Sequence, residues 1–173
     1  MPEILTERLK LRAFRLGDLP RLLEAMQDWS VQQWLDTPPW PYCEADGRAW
    51  IDFVAADHAG GRPQHFAIAA REDDRLLGCT SYEETDGLPA LGYWLHPEAW
   101  GQGYAAEAAR AMALQAREVL GYTAVCARTD PDNRASRRVL EKLGFRPDGS
   151  EPAETRRGSG HALRFRLDLI DVS

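Results

Sequence analysis

The chain has 173 residues, 44% of them hydrophobic and 28% charged, with a formal net charge of −6, the size and balance of one globular domain with a real core. A single domain over residues 1–173 is therefore expected. No apolar run approaches the roughly 18 residues of a membrane span, and an acidic balance argues against broad nucleic-acid binding, which needs a basic surface to displace counterions.

The start, "MPEILTERLKLR", carries charges where a secretory signal needs its apolar stretch, so a cytoplasmic location without a membrane partner is expected. "LKLRAF" alternates like a strand, and "RLGDLPRLLEAMQD" then sets Leu19, Leu22, Leu23 and Met26 at helical spacing. Trp29, Trp34, Trp40 and Trp50 crowd around a proline-rich break. Such a segment serves as a lid over a substrate or as a hydrophobic strap, and Trp29, Trp34 and Trp40 are the candidate substrate-binding residues. A helix is predicted from about Glu44 to Ala59, stopped by Gly60 and Gly61.

"HFAIAAR", "RLLGCTSYEE" and "ALGYWLH" read as successive strands with short links, which implies antiparallel pairing in mid-chain. The segment from about Tyr104 to Leu120 carries Ala105, Ala108, Met112, Ala116 and Val119 on one helical stripe, and the strand-like "YTAVCART" follows. "DPDNRASRRVLEKLGF" reads as a capped short helix stopped by Gly144, and "HALRFRLDLI" as a closing strand. Cys43, Cys79 and Cys126 lie far apart, with no C-x-x-C pair and no histidine at ligand spacing. Neither a disulfide framework nor a metal site is expected, and Cys79 and Cys126 sit in apolar contexts that suit buried inert thiols.

The densest signal is "WGQGYAAEAAR" from Trp100. Its glycines permit backbone angles and close approaches that a Cβ forbids, and the helix after them offers unpaired N–H groups and a partial positive charge. Either this is an ordinary turn into a helix, or it is a socket for an anion such as a phosphate. Gly101-x-Gly103-x-x-Ala106 meets the dinucleotide fingerprint, which raises an NAD(P)-dependent oxidoreductase. That fingerprint belongs between the first strand and helix of a parallel unit, however, and here several hairpin-linked strands precede it. A Walker loop needs a lysine after its glycines, and Gly103 is followed by Tyr104.

"LGYWLHPEAWGQGYAAEAARAM" followed about thirty residues later by "DPDNRASRRVLEKLGF" resembles the acetyl-CoA-binding core of the GNAT superfamily, and within it the branch of ribosomal-protein-alanine N-acetyltransferases. The resemblance implies an α/β fold with a mixed, mostly antiparallel central sheet of about six to seven strands flanked by about four helices. It also implies acetyl-CoA as co-substrate, with no metal. Backbone amides at Gly101, Gln102, Gly103, Tyr104, Ala105 and Ala106 would hold the pyrophosphate. The strand ending at Leu95 and His96 would pair with the pantetheine arm, and the Leu95 amide would hold the acetyl carbonyl.

Asn133 matches the family asparagine beside the cofactor arm, and it is also an ordinary N-cap. Ser136 falls where this branch carries a serine suited to protonating the departing thiolate, and Arg138 lies near the expected ribose phosphate. Two positions depart from the wider superfamily: Trp100 replaces an Arg or Gln, and Leu140 stands where many members place a tyrosine acid, so that Ser136 or Tyr104 serves instead or the thiolate takes its proton from water. Glu83 and Glu84, at the end of "CTSYEE", are the candidate bases, of which strand alternation turns one toward the cleft.

The function expected is direct acetyl transfer from acetyl-CoA to a primary amine, either a protein N-terminal α-amine or a small molecule, in a ternary complex. A non-catalytic sensor of CoA or another nucleotide is the alternative of a different kind. The chain is expected to act as a monomer or homodimer.

Overall fold

The computed structural model describes residues 3–61 and 63–171. Eight strands form one sheet: β1 (Ile4–Leu5), β2 (Leu9–Arg12), β3 (His65–Ala70), β4 (Leu76–Thr85), β5 (Leu88–Leu95), β6 (Ala124–Thr129), β7 (Arg146–Pro152) and β8 (His161–Asp168), ordered β1-β2-β3-β4-β5-β6-β8-β7. Every neighbouring pair is antiparallel except β5 and β6, which are parallel. The α-helices are α1 (Leu19–Met26), α2 (Trp29–Gln32), α3 (Glu44–Ala59), α4 (Tyr104–Glu118) and α5 (Arg134–Lys142). This is the mixed, mostly antiparallel fold expected. It is not the doubly wound parallel sheet of a dinucleotide-binding fold.

The sheet has more strands than the six to seven expected, and the added elements explain why. β1 is only two residues long. β7 reads "RPDGSEP", with two prolines and a glycine and no apolar residue, so no strand pattern is visible in it. It survives because it is an edge strand, exposed along most of its length, where a residue without an N–H interrupts nothing. α2, a single turn capped by Asp28 Oδ1 on Ser30 N, is too short to show a helical period. Val119 departs from the predicted stripe: α4 ends at Glu118, and Val119 is 64% exposed.

Both faces of the sheet are covered. α4 and α5 pack over Tyr82, Leu91, Leu95, Val125 and Ala127, with Ala108, Ala109, Met112 and Ala116 wholly buried at the contact. α1 and α3 cover Ala67 and Cys79 on the other face through Leu22, Met26 and Val54. Burial pushes the Cys79 thiol up to about 12, so this buried cysteine is inert, as its apolar context suggested. Among the described residues no helix is long and apolar enough to cross a membrane.

The register breaks once in the middle of the sheet. Ile68 faces Gly78 but Ala69 faces Leu76, which leaves Leu77 as the extra residue of a bulge and puts Leu77 in the core of Tyr82 and Leu76 in that of Cys79, the reverse of simple alternation. Next to the bulge β4 lies tight against the end of β5: a Cβ on Gly78 would overlap the Trp94 carbonyl oxygen and lie 2.9 Å from Leu95 Cα. Gly78 thus sets where Leu95 sits. Gly78→Ala is expected to cost about 1–3 kcal/mol of stability by overpacking, seen as a fall of several degrees in Tm. An unchanged Tm would mean that β5 is not seated by this contact.

Candidate functional site

The glycine loop lies between a 3₁₀ turn at Pro97–Ala99 and α4. Gly101 and Gly103 have φ of +74° and +83°, in the left-handed region where a Cβ is strained. Gly103 is the N-cap of α4 and supplies no capping side chain, so the amides of the first turn, from Tyr104 onward, open at the helix end without one. The Gln102 side chain is spent locally, donating to the Glu98 carbonyl at 2.7 Å. Trp100 donates its indole N–H to Leu95 O at 2.9 Å, linking the loop to the strand end. Ala105 and Ala106 are half-buried at the helix start, while Ala108 and Ala109 turn wholly into the core.

A clamp from the other end of the chain holds the loop, and this the sequence reading missed. Arg8 lies 4.6 Å over the Tyr104 ring, donates to Gln102 O at 2.9 Å and pairs with Glu107 at 2.7 Å. Glu107 also accepts from Thr6 Oγ1 at 2.6 Å and from the Arg8 amide at 2.8 Å. Partial burial acts to raise the Glu107 pKa, but these donors outweigh it and hold the carboxyl below its ordinary value. Ninety-nine residues separate Arg8 from Glu107, a distance at which no local pattern advertises a pair.

Beyond the loop the two parallel strands part. β5 and β6 share one paired position, Ala90 with Cys126, and past it β5 runs on to Leu95 with no further partner on β6. That leaves about 16 Å of strand edge facing a gap. Successive residues turn their N–H groups to opposite edges. His96 N–H donates to Leu77 O on β4 at 2.8 Å, which turns the Leu95 N–H toward the gap.

α5 stands beside this gap. Asn133 is its N-cap, and its Oδ1 accepts from Ser136 N at 3.0 Å. The Ser136 hydroxyl lies 3.1 Å from Tyr93 Oη, which is also 3.3 Å from the Ser136 carbonyl oxygen. Tyr93, on β5 two residues before Leu95, is the second side chain the sequence reading passed over. Leu140 is buried in the core, so the place of the missing tyrosine acid is filled by packing. Arg138 is exposed on the same helix.

Glu83 and Glu84 are both exposed. Tyr82 enters the α4 core, so alternation puts Glu83 on the opposite face and Glu84 on that of Tyr82. Glu83 lies 4.0 Å from Arg128, which is held by Glu151 at 2.9 Å. Asp36, from the segment after α2, sits near Arg128 and Arg156. Burial pushes the Asp36 carboxyl up, against the pull of those two arginines. Asp36 and Glu83 thus both act on Arg128.

The tryptophans separate by role. Trp29 and Trp40 pair at 5.1 Å with 45% and 44% of their surface exposed. Trp34 lies 4.8 Å beneath the Arg157 guanidinium, while Trp50 packs against Phe14, Phe53 and His65. Arg156 donates to the carbonyls of Leu35, at 2.9 Å, and Pro38, so the β7–β8 loop straps this segment down. His96 is buried, with Nδ1 accepting from Glu98 N at 3.3 Å and Nε2 3.4 Å from Glu24. Its side chain and its amide are both engaged within the fold.

The family model for the acetyltransferase (GNAT) domain matches residues 8–146. The uncharacterized N-acetyltransferase YnaD of Bacillus subtilis is 28% identical over 148 residues, 84% of each chain. A GNAT-family acetyltransferase structure from Bacillus anthracis superposes with a TM-score of 0.84 at 22% identity, covering 98% of this chain and 100% of that one. The ribosomal L7/L12 α-N-protein acetyltransferase RimL, solved in complex with coenzyme A, superposes with a TM-score of 0.80 at 19% identity, covering 96% and 98%. The family match runs from the Arg8 clamp through the glycine loop and the parted strands to the end of α5, and the chain belongs to the GNAT family of N-acetyltransferases.

Proposed function

We propose that residues 1–173 act as one domain that transfers acetyl from acetyl-CoA directly to a primary amine while both are bound. The observation that supports this most is the gap between β5 and β6. It leads from the Ala90–Cys126 pair toward the glycine loop, with the Ser136 hydroxyl on the α5 side and Glu83 on the opposite face. The RimL structure holds coenzyme A, and the loop here has the chemistry to hold the same diphosphate: amides at Gly101, Gln102, Gly103, Tyr104, Ala105 and Ala106 gathered at a helix start.

The pantetheine arm, itself built of amides, fits the free edge of β5 as an added strand. Asn133 spends its Oδ1 on the cap, which leaves its amide nitrogen for that arm, and Arg138 is exposed where a ribose phosphate would lie. The role of His96 narrows to ending the strand, since its ring and N–H are already used. Leu95 N–H holds the acetyl carbonyl, where negative charge grows during attack.

The amine must be neutral to attack. An α-amine with a pKa of about 7.7–8.0 is nearly ready at neutral pH, whereas a lysine near 10.4 needs a base. As the N–C bond forms and the C–S bond breaks, the sulfur takes the electron pair and then a proton from Ser136 Oγ, which is replaced from water. The proton lost by the amine leaves through water to Glu83; Glu84, on the other face, takes no part. Trp29, Trp34 and Trp40 shape the acceptor side. RimL, a ribosomal L7/L12 α-N-protein acetyltransferase of similar fold, supports a protein α-amine over a lysine side chain as the acceptor. This reading places the protein in the cytoplasm, with no nucleic-acid or membrane partner.

Gly103→Val puts a branched side chain where φ is +83° and where even a Cβ would lie 3.5 Å from Arg8. It should weaken acetyl-CoA binding about tenfold or more by calorimetry; retained affinity would remove the loop from the cofactor site. Ser136→Ala should lower kcat about 10²-fold with acetyl-CoA affinity unchanged, assayed with the amine that a panel screened against acetyl-CoA identifies. An unchanged kcat would take Ser136 out of the chemistry.

A further inference from the structure

Ser136 is a weak fit to its task if its hydroxyl is free to turn. A serine in the first turn of a helix can rotate toward solvent or bond back to a carbonyl of the preceding turn, and in either pose its proton points away from the sulfur. The fold restrains it twice: Asn133 Oδ1 fixes the Ser136 main chain at 3.0 Å, and Tyr93 Oη meets the Ser136 side chain at 3.1 Å.

Tyr93 has one proton and two acceptors within reach, Ser136 Oγ and the Ser136 carbonyl oxygen at 3.3 Å. If that proton goes to the carbonyl, the serine O–H is spent on Tyr93. If it goes to Oγ, the serine O–H is released to another acceptor. A developing thiolate selects the second arrangement, because a charged acceptor strengthens the bond it receives. A hydroxyl that accepts one hydrogen bond also donates the next more strongly.

We propose that Tyr93 is a positioning residue for the leaving-group step, donating to Ser136 Oγ so that the serine O–H is aimed at the departing sulfur. This rests on the assignment of Ser136 made above. Tyr93 keeps its own proton throughout: burial pushes its hydroxyl up to about 12, against the opposing pull of the Ser136 hydrogen bond. The strand geometry suits the role. Tyr93 and Leu95 are two residues apart on β5 and on the same face, so one rigid element aligns the serine and supplies the amide for the acetyl carbonyl, about 7 Å apart along the strand.

The test titrates the thiol of coenzyme A bound to the wild-type chain, Y93F, S136A and the double variant, by ultraviolet thiolate absorbance. Phenylalanine keeps the ring that packs against the α4–α5 core, and retention of fold is checked by thermal unfolding. Bound to the wild type, the thiol should ionise at lower pH than in free coenzyme A. S136A should raise that value by about one pH unit, a tenfold loss of thiolate at fixed pH. Y93F should give a smaller loss, about threefold, and none when added to S136A. A Y93F thiol identical to wild type, beside a raised S136A, overturns the positioning role and leaves Ser136 standing. An equal Y93F effect with and without Ser136 also overturns it. A thiol unmoved in S136A overturns the Ser136 assignment itself, and this proposal with it.

Discussion

The structure turns on a pairing that stops. Backbone N–H and C=O groups inside a folded protein are almost always satisfied, and six of the seven neighbouring pairs in this sheet satisfy them along antiparallel ladders. β5 and β6 meet at one position, Ala90 with Cys126, and part there, leaving the rest of β5 to Leu95 unpaired on that edge. An open edge in the middle of a sheet is costly unless something made of amides lies along it. The features around it follow: α4 and α5 cover one face of the parted strands, Gly78 beside the β4 bulge seats the end of β5, and the Trp100 indole closes onto Leu95 O.

Because side chains alternate along a strand, the function proposed above would divide its chemistry between the two faces of the sheet. Tyr93 and Leu95 turn toward α5 and Ser136, where a leaving group would be met. Glu83 turns to the other face, beside Arg128. A donor and an acceptor of protons on one face would find each other before they found a substrate. Here the sheet keeps them apart.

The elements that were legible in the sequence are those whose cause is local. The period of α4, the alternation of β3 to β5, the helix from Glu44 to Ala59 and the glycines before Tyr104 each carry their reason within a few residues. β7 was not legible because its strand character comes wholly from pairing with β8. The clamp of Arg8 on Glu107 and the contact of Tyr93 with Ser136 span 99 and 43 residues, so each partner alone looks like ordinary surface or core. The four tryptophans were visible as a group, but only packing separates Trp50, in the core cluster, from the exposed pair of Trp29 and Trp40. His96 looked like a strand end facing the cofactor, and its contacts with Glu98 and Glu24 turn it inward.

On the function proposed above, the clamp also bears on how a diphosphate could be held beside a glutamate. A carboxylate in the first turn of a helix complements the positive end of its dipole, and left alone Glu107 would compete for the place a diphosphate needs. It is not left alone. Thr6 and Arg8 together supply it with the Thr6 hydroxyl, the Arg8 amide and the Arg8 guanidinium, which draws its charge toward the start of β2. The exposed guanidinium goes on to the Gln102 carbonyl and the Tyr104 ring, so the charge that neutralises Glu107 also pins the loop from outside. No side chain caps the amides at the helix start. An arginine and a glutamate that look like a surface ion pair, ordinarily worth less than about 1 kcal/mol to stability, thus also tie the glycine loop and the first turn of α4 to the start of β2.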